Sequence, residues 1–299
     1  MRVVVVGMGV QGAKRQAAAG ADAVATVDPV RPADYRSLAD VPPDSYDAAL
    51  LCIPDEPKLA LMLDLVQRGK HLLVEKPVLG EPAAIQRVID AASKTGAVCY
   101  TAYNHRFEPH FVRMKALIDS GALGRIYSVR LFYGNGTARL VRDSAWRDTG
   151  SGVLADLGSH LLDTIHFWLG EPDAPFALTM ANRFENRSPD HVVLTSAGKI
   201  AIQFEMTMLS WRNHFTCDVL AEHGSAHIES LCKWGPSTFR HRQRVLPAGR
   251  PPEEAVTLVQ DDPTWTLEYD YFNQLCQSGS PGNLTNDLWI SSTLRTLEG

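Results

Sequence analysis

Five short, nearly unbroken apolar runs, at 3–6, 23–27, 48–53, 71–74 and 97–101, punctuate the first hundred residues, and helical spacing recurs between and after them at 10–19, 58–68, 82–94 and 109–119. A continuous apolar run of four to six residues reads as a strand buried on both faces. The resulting β-α-β-α-β order predicts a doubly wound parallel sheet, which binds ligands at the carboxyl ends of its strands. Beyond residue 123 the pattern changes. Ile200, Ile202, Phe204 and Met206 alternate with Ala201, Gln203, Glu205 and Thr207, a period of two that marks a strand with one buried face. Further short strands are expected at 126–133, 176–184, 191–196, 215–221 and 226–231, with convincing helices only at 153–169 and 265–277. An open, mostly antiparallel sheet follows, and so few helices leave one face uncovered, which predicts an apolar, aromatic face that pairs with a second copy.

The first strand runs straight into Gly7-Met8-Gly9-Val10-Gln11-Gly12 and then a helix. In GxGxxG the first glycine allows the tight bend, the second lets backbone approach a pyrophosphate, and the third permits close helix packing. The free N–H groups of the helix N-terminus favour phosphate. Asp28 ends the second strand about twenty residues on, where a carboxylate can accept from adenosine ribose hydroxyls and repel a 2′-phosphate. NAD is therefore expected, and Arg31 close by keeps NADP open. Glu75-Lys76-Pro77 and Tyr103-Asn104-His105-Arg106-Phe107 fall at the ends of the next strands, and Pro54 opens the turn after the third. The chain must turn at once after Lys76, so a cis Lys76–Pro77 bond is expected.

In 153–169, Val153, Leu154, Leu157, Leu161, Leu162, Ile165 and Leu169 recur at helical spacing, while Asp156, His160 and Asp163 fall at i, i+4 and i+7 on another stripe. An imidazole is the natural proton acceptor near neutral pH, and a carboxylate one turn away can orient it. Gly150 and Gly152 lead into this helix and would let backbone pass close to a ligand. No metal is expected, since His166 lies ten residues from Asp156, nearly three turns along the axis.

Composition narrows the classes. Of 299 residues, 45% are hydrophobic and 21% charged, as in an ordinary globular enzyme of roughly two domains. A net charge of −5 gives no general attraction to nucleic acid or anionic membrane, and the one basic cluster, Arg240 to Arg244, reads as a solvated strand or loop. Five scattered cysteines without a CxxC pair, and an N-terminal apolar run too short for a signal or a span, point to a cytoplasmic protein. The final Leu297-Glu298-Gly299 reads as the interior of a helix.

In their order and spacing, GMGVQG, the strand ending in Asp28, Gly69-Lys70-His71 leading to EKP, the Tyr-Asn-x-Arg-Phe segment and the glycine-rich lead into Asp156-x-x-x-His160-x-x-Asp163 resemble the Gfo/Idh/MocA oxidoreductases, named for glucose–fructose oxidoreductase and inositol dehydrogenase. The resemblance implies an α/β chain with an N-terminal Rossmann domain over 1–122 and a C-terminal α+β domain over 123–299 that binds substrate and oligomerises, as a homodimer or homotetramer, through its sheet. It implies hydride transfer between nicotinamide and a carbinol or ketone carbon of a sugar, cyclitol or nucleotide sugar. Lys76, His160 and Asp156 are the expected catalytic residues, with Lys76 and His160 on one substrate oxygen. Cofactor contacts are expected from Gly7, Gly9, Val10, Gln11, Gly12, Asp28, Pro54, Glu75, Lys76 and Asn104, and substrate contacts from Lys76, Arg147, Asp156 and His160. Ser151 stands where many members carry a third glycine. Ser210-Trp211-Arg212-Asn213 and Cys232-Lys233-Trp234-Gly235 are most similar to members acting on bacterial polysaccharide sugars. A catalytically silent nucleotide sensor on the same fold is the competing reading; it could lose Lys76 or His160 freely, and both are present.

Overall fold

A computed structural model describes residues 1–144 and 147–298. The last residue, Gly299, at the expected helical end lies outside the described residues. The chain forms two compact units: residues 1–104 with 264–292, and residues 105–263 with 293–298. These units differ from a division in chain order at 122/123, because the second begins at His105 and the segment 264–292 returns to the first.

The first unit is built from β1 (Val3–Val6), α1 (Val10–Ala19), β2 (Ala23–Val27), β3 (Ala48–Leu51), α2 (Asp55–Gln67), β4 (His71–Glu75), α3 (Pro82–Thr95) and β5 (Cys99–Ala102). Its five strands are parallel in the order β2-β1-β3-β4-β5. Strands β1, β3 and β5 are buried at every residue, as the unbroken apolar runs require when both faces are covered. The order reverses between β1 and β3, where such sheets open a crevice. Val6 pairs with both Val27 and Leu51, and Glu75 with Ala102, so Gly7, Asp28, Pro54, Lys76 and Asn104 all follow strand ends along one edge.

The second unit contains α4 (Pro109–Asp119), β6 (Ile126–Gly134), α5 (Ala138–Arg142), α6 (Ser159–Leu169), β7 (Ala177–Asn182), β8 (His191–Ala197), β9 (Ala201–Thr207), β10 (His214–Ala221), β11 (Gly224–Glu229), β12 (Ser237–Gln243) and β13 (Glu253–Leu258). The strands form one sheet, β13-β12-β11-β10-β6-β9-β8-β7, antiparallel except where β6 meets β9. Leu131, Phe204, Cys217 and Leu194 lie across from one another and are buried. The opposite face departs from expectation. Its rows read Thr216, Phe132, Glu205, Val193 and Asp218, Arg130, Gln203, Thr195, so it is largely polar rather than apolar and aromatic. His227 Nδ1 to Asp218 Oδ1 at 2.6 Å and Arg240 to Glu229 at 3.1 Å tie neighbouring strands across it.

The chain closes with α7 (Thr264–Ser278) and α8 (Leu284–Glu298). Just before α8, the Asn283 carboxamide accepts from the Thr101 N–H (2.6 Å) and donates to its carbonyl (2.9 Å), taking the place of a sixth strand on edge strand β5. Asp287, fully buried, accepts from the hydroxyls of Thr101 and Tyr103 at 2.7 and 2.9 Å.

Candidate functional site

The glycine loop at the end of β1 has no room for side chains at two positions. Gly7 has φ +92°, and a Cβ there would lie 2.3 Å from the Cys52 carbonyl; one at Gly12 would lie 1.9 Å from the Gly7 carbonyl. α1 thereby packs directly on the loop. At Gly9 a Cβ would meet nothing within 4 Å. No side chain caps the helix, so its first N–H groups remain for an anion, and Val10 and Gln11 are exposed beside them. A bare helix N-terminus behind a loop closed to side chains at Gly7 and Gly12 and left open at Gly9 fits a dinucleotide pyrophosphate.

Asp28 is 7% exposed. Its Oδ2 accepts from the Met8 N–H at 2.7 Å and its Oδ1 from those of Val30 and Arg31 at 2.8 and 2.7 Å. Burial opposes ionisation, but these three donors and the Arg31 charge outweigh it and hold the carboxyl below the usual range. Asp28 is thus a clasp for the glycine loop itself as well as the expected ribose acceptor.

The other expected contacts of the first unit are committed elsewhere. The Glu75 carboxylate is held by the Arg15 Nε at 2.7 Å; Arg15, 1% exposed, also pairs with Glu268 at 2.6 Å and lies over the Trp265 ring. The Asn104 carboxamide donates to the Thr264 hydroxyl at 2.9 Å. Pro54 precedes the first turn of α2. Lys76 is half-buried and its bond to Pro77 is cis, as expected. Buried Lys58 was not legible as a site residue. It sits on the stripe of α2 that buries Met62 and Leu65, and a lone cation on an apolar stripe was the available signal.

In the second unit the helix expected over 153–169 runs without a break, but Leu154–Gly158 is a π-helical turn that leads directly into α6 at Ser159, so Asp156 and His160 are separated by a widened turn rather than a regular α-helical one. Gly152, φ +54°, approaches the chain itself: a Cβ would lie 2.2 Å from the Pro189 carbonyl. Asp156 faces the Arg147 guanidinium at 3.9 Å. Asp163 is drawn away from the expected stripe into a bidentate pair with Arg106 at 2.9 and 2.6 Å.

His160, 7% exposed, stacks on His105 with ring centroids 4.1 Å apart and 17° between planes. The Lys233 Nζ stands at hydrogen-bond distance, 3.2 Å, from the His105 Nε2. Tyr133 lies against both imidazoles and Trp234. Burial, reinforced by Asp156 and Glu108, pushes its phenol well up, so it stays a donor. The metal-type grouping among the described residues is Glu108, Cys232 and Asp262, with ligand atoms within 4.8 Å. Burial pushes Glu108 and the Cys232 thiol toward their protonated forms against the opposing pull of the Lys233 charge, and that neighbouring charge itself repels a cation, so the group does not suit one.

A parallel sheet with a glycine cradle at its switch point, joined to a unit carrying a buried imidazole, defines a dinucleotide-binding oxidoreductase. Residues 9–103 match the model of an oxidoreductase family with an NAD-binding Rossmann fold, and residues 111–227 match the GFO/IDH/MocA C-terminal domain. The chain belongs to the Gfo/Idh/MocA family. It is 32% identical over 134 residues (44% of this chain, 37% of the relative) to the NADP(+)-dependent scyllo-inositol 2-dehydrogenase IolW of Bacillus subtilis. It is 29% identical over 143 residues (46% and 36%) to levoglucosan dehydrogenase of Pseudarthrobacter phenanthrenivorans, and 26% over 164 (52% and 49%) to inositol 2-dehydrogenase of Rhizobium meliloti. The matched stretches thus span between about a third and a half of these curated relatives. In fold it is similar to levoglucosan dehydrogenase in complex with NADH (TM-score 0.84, 17% identity, 99% of this chain and 95% of that one). It is likewise similar to an oxidoreductase domain protein from Kribbella flavida (TM-score 0.83, 16% identity, 100% and 96%). No helix among the described residues is long and apolar enough to cross a membrane.

Proposed function

We propose that the chain is an NAD(P)-dependent dehydrogenase or reductase acting on a carbinol or ketone carbon of a sugar, cyclitol or nucleotide sugar. The observation that carries this reading is the alignment, along one sheet edge, of the Gly7–Gly12 cradle with Glu75-Lys76. The sugar and inositol dehydrogenases among the relatives support the substrate class.

Gly7, Gly9 and Gly12 with the α1 N-terminus would hold the pyrophosphate, and Asp28 the adenosine ribose. When bound, nicotinamide accepts or returns the hydride. In the oxidative direction His160 takes the hydroxyl proton, and the Lys76 ammonium donates to the oxygen as negative charge develops there. Asp156, paired with Arg147, contributes to holding the substrate. The polar open face of the second unit's sheet would join two copies, and the five scattered cysteines without a CxxC pair support a cytoplasmic setting.

Single-turnover absorbance of reduced nicotinamide over a panel of sugars and cyclitols tests this. Lys76→Met should keep NADH binding and lose on the order of a hundredfold or more in turnover, as when one preorganised oxyanion donor is removed. His160→Asn should lower turnover and flatten its pH dependence near neutrality. Equal rates in wild type and Lys76→Met on a true substrate would overturn the mechanism. No reduction of NAD by any carbinol in wild type would favour the sensor instead.

A further inference from the structure

Lysine is almost never fully buried unless its charge is matched, yet Lys58, in the first turns of α2, is 2% exposed. Its ammonium has three protons, and three oxygens receive them: Asp55 Oδ1 at 2.5 Å, the Glu75 carbonyl at 3.0 Å and the Pro77 carbonyl at 2.8 Å. Asp55, the one carboxylate of the three, is about half exposed. The other two acceptors are neutral main-chain carbonyls, one on each side of Lys76. Pro77 carries no N–H, so this tripeptide cannot be anchored there by the usual main-chain donor. The Glu75 side chain is fixed separately by Arg15, itself buried and joined to Glu268. Two buried cations from α1 and α2 therefore converge on three residues, and Lys76 is the middle one.

We propose that Lys58 is a positioning residue for Lys76: it grips the main chain on both sides of that lysine and fixes where the Lys76 side chain starts out from the sheet edge, without touching substrate. The inference rests on the reading of Lys76 given under Proposed function. A buried charge spent on two carbonyls is well suited to this task, because charge-assisted hydrogen bonds are short and directional. An apolar residue of the same length would fill the space and leave both carbonyls bare, free to turn.

The test uses the full chain with Lys58→Met, which keeps the length and removes the donors, and Lys58→Gln, which keeps a shorter donor. Five quantities are read: melting temperature, NADH affinity, kcat and KM with a carbinol that wild type oxidises, and hydrogen exchange across residues 74–80. Expected for Lys58→Met is faster exchange confined to 74–80, with NADH affinity and the KM for NAD kept. Its kcat should fall by about a hundredfold, the scale set by misplacing a catalytic group by about 1 Å. Lys58→Gln should recover part of both. The inference is overturned if exchange across 74–80 in Lys58→Met matches wild type, or if kcat does. It is also overturned if exchange rises throughout the first unit and NADH affinity falls with kcat, since Lys58 would then support the fold at large. If wild type oxidises no carbinol at all, the reading of Lys76 fails by itself, and the exchange measurement alone decides whether Lys58 holds the segment.

Discussion

Three main-chain N–H groups converge on Asp28, and this changes what its removal should do. The sequence places a carboxylate where a ribose would bind, but spacing cannot tell that Met8, Val30 and Arg31 already donate to it. Asp28→Asn keeps one acceptor and turns an amide donor toward an N–H, so it should cost about 1–3 kcal/mol of stability at neutral pH by leaving buried groups unsatisfied. The folded-state pKa is depressed, so the stabilisation is present above the unfolded carboxylate range and is lost as pH falls through the folded value. Urea unfolding of wild type and Asp28→Asn should therefore differ most at pH 7, draw together as pH falls below the ordinary aspartate pKa and converge below the depressed folded value; a constant difference down to acid would remove the carboxylate from the argument. Asp163 shows the same limit of a linear pattern. Helical spacing put it with His160, while Arg106, 57 residues earlier, claims it.

At the scale of elements, the runs most directly legible are those with the most complete burial. β1, β3 and β5 are buried at every residue and β4 at its three central ones, and apolar continuity reports that directly. β12 and β13 were not resolved as a pair because their pairing rests on polar partners, Arg242 with Glu253 and Thr238 with Thr257, to which hydrophobic periodicity is blind. The π-helical turn at Leu154–Gly158 adds a residue to the helical repeat, which no pattern of apolar positions announces. The glycine loop permits a sharper test because its three glycines differ in their surroundings. Gly12→Ala must push α1 off the Gly7 carbonyl, an overpacking of about 1–3 kcal/mol, and should lower both the melting temperature and NADH affinity. Gly9→Ala meets no atom of the chain and should leave melting unchanged while NADH affinity falls, because the added methyl stands where the pyrophosphate must approach. Unchanged NADH affinity in Gly9→Ala would place the phosphates elsewhere.

At the scale of the whole molecule, a division in chain order misses that 264–292 returns to the first unit. The reason is physical: α7 brings Glu268 to Arg15, and Asn283 and Asp287 close the free edge of β5, contacts between residues more than 180 positions apart. The assembly proposed through the open face of the second unit's sheet should depend on charge. Had that face been apolar, salt would strengthen pairing; instead Arg130 approaches Glu205 at 3.8 Å, Asp218 holds His227, and Arg240 holds Glu229. Two copies meeting there would exchange charged and hydroxyl groups, which salt screens over about 10 Å at 0.1 M. Sedimentation equilibrium should accordingly show a dimer or tetramer at low ionic strength that loosens as salt rises. Arg130→Glu, which sets like charges against Glu205 and its counterpart in the second copy, should shift the distribution toward monomer with the far-ultraviolet circular dichroism intact. A wild-type monomer at micromolar concentration in low salt, or an assembly indifferent to both salt and Arg130→Glu, would exclude this face as the contact.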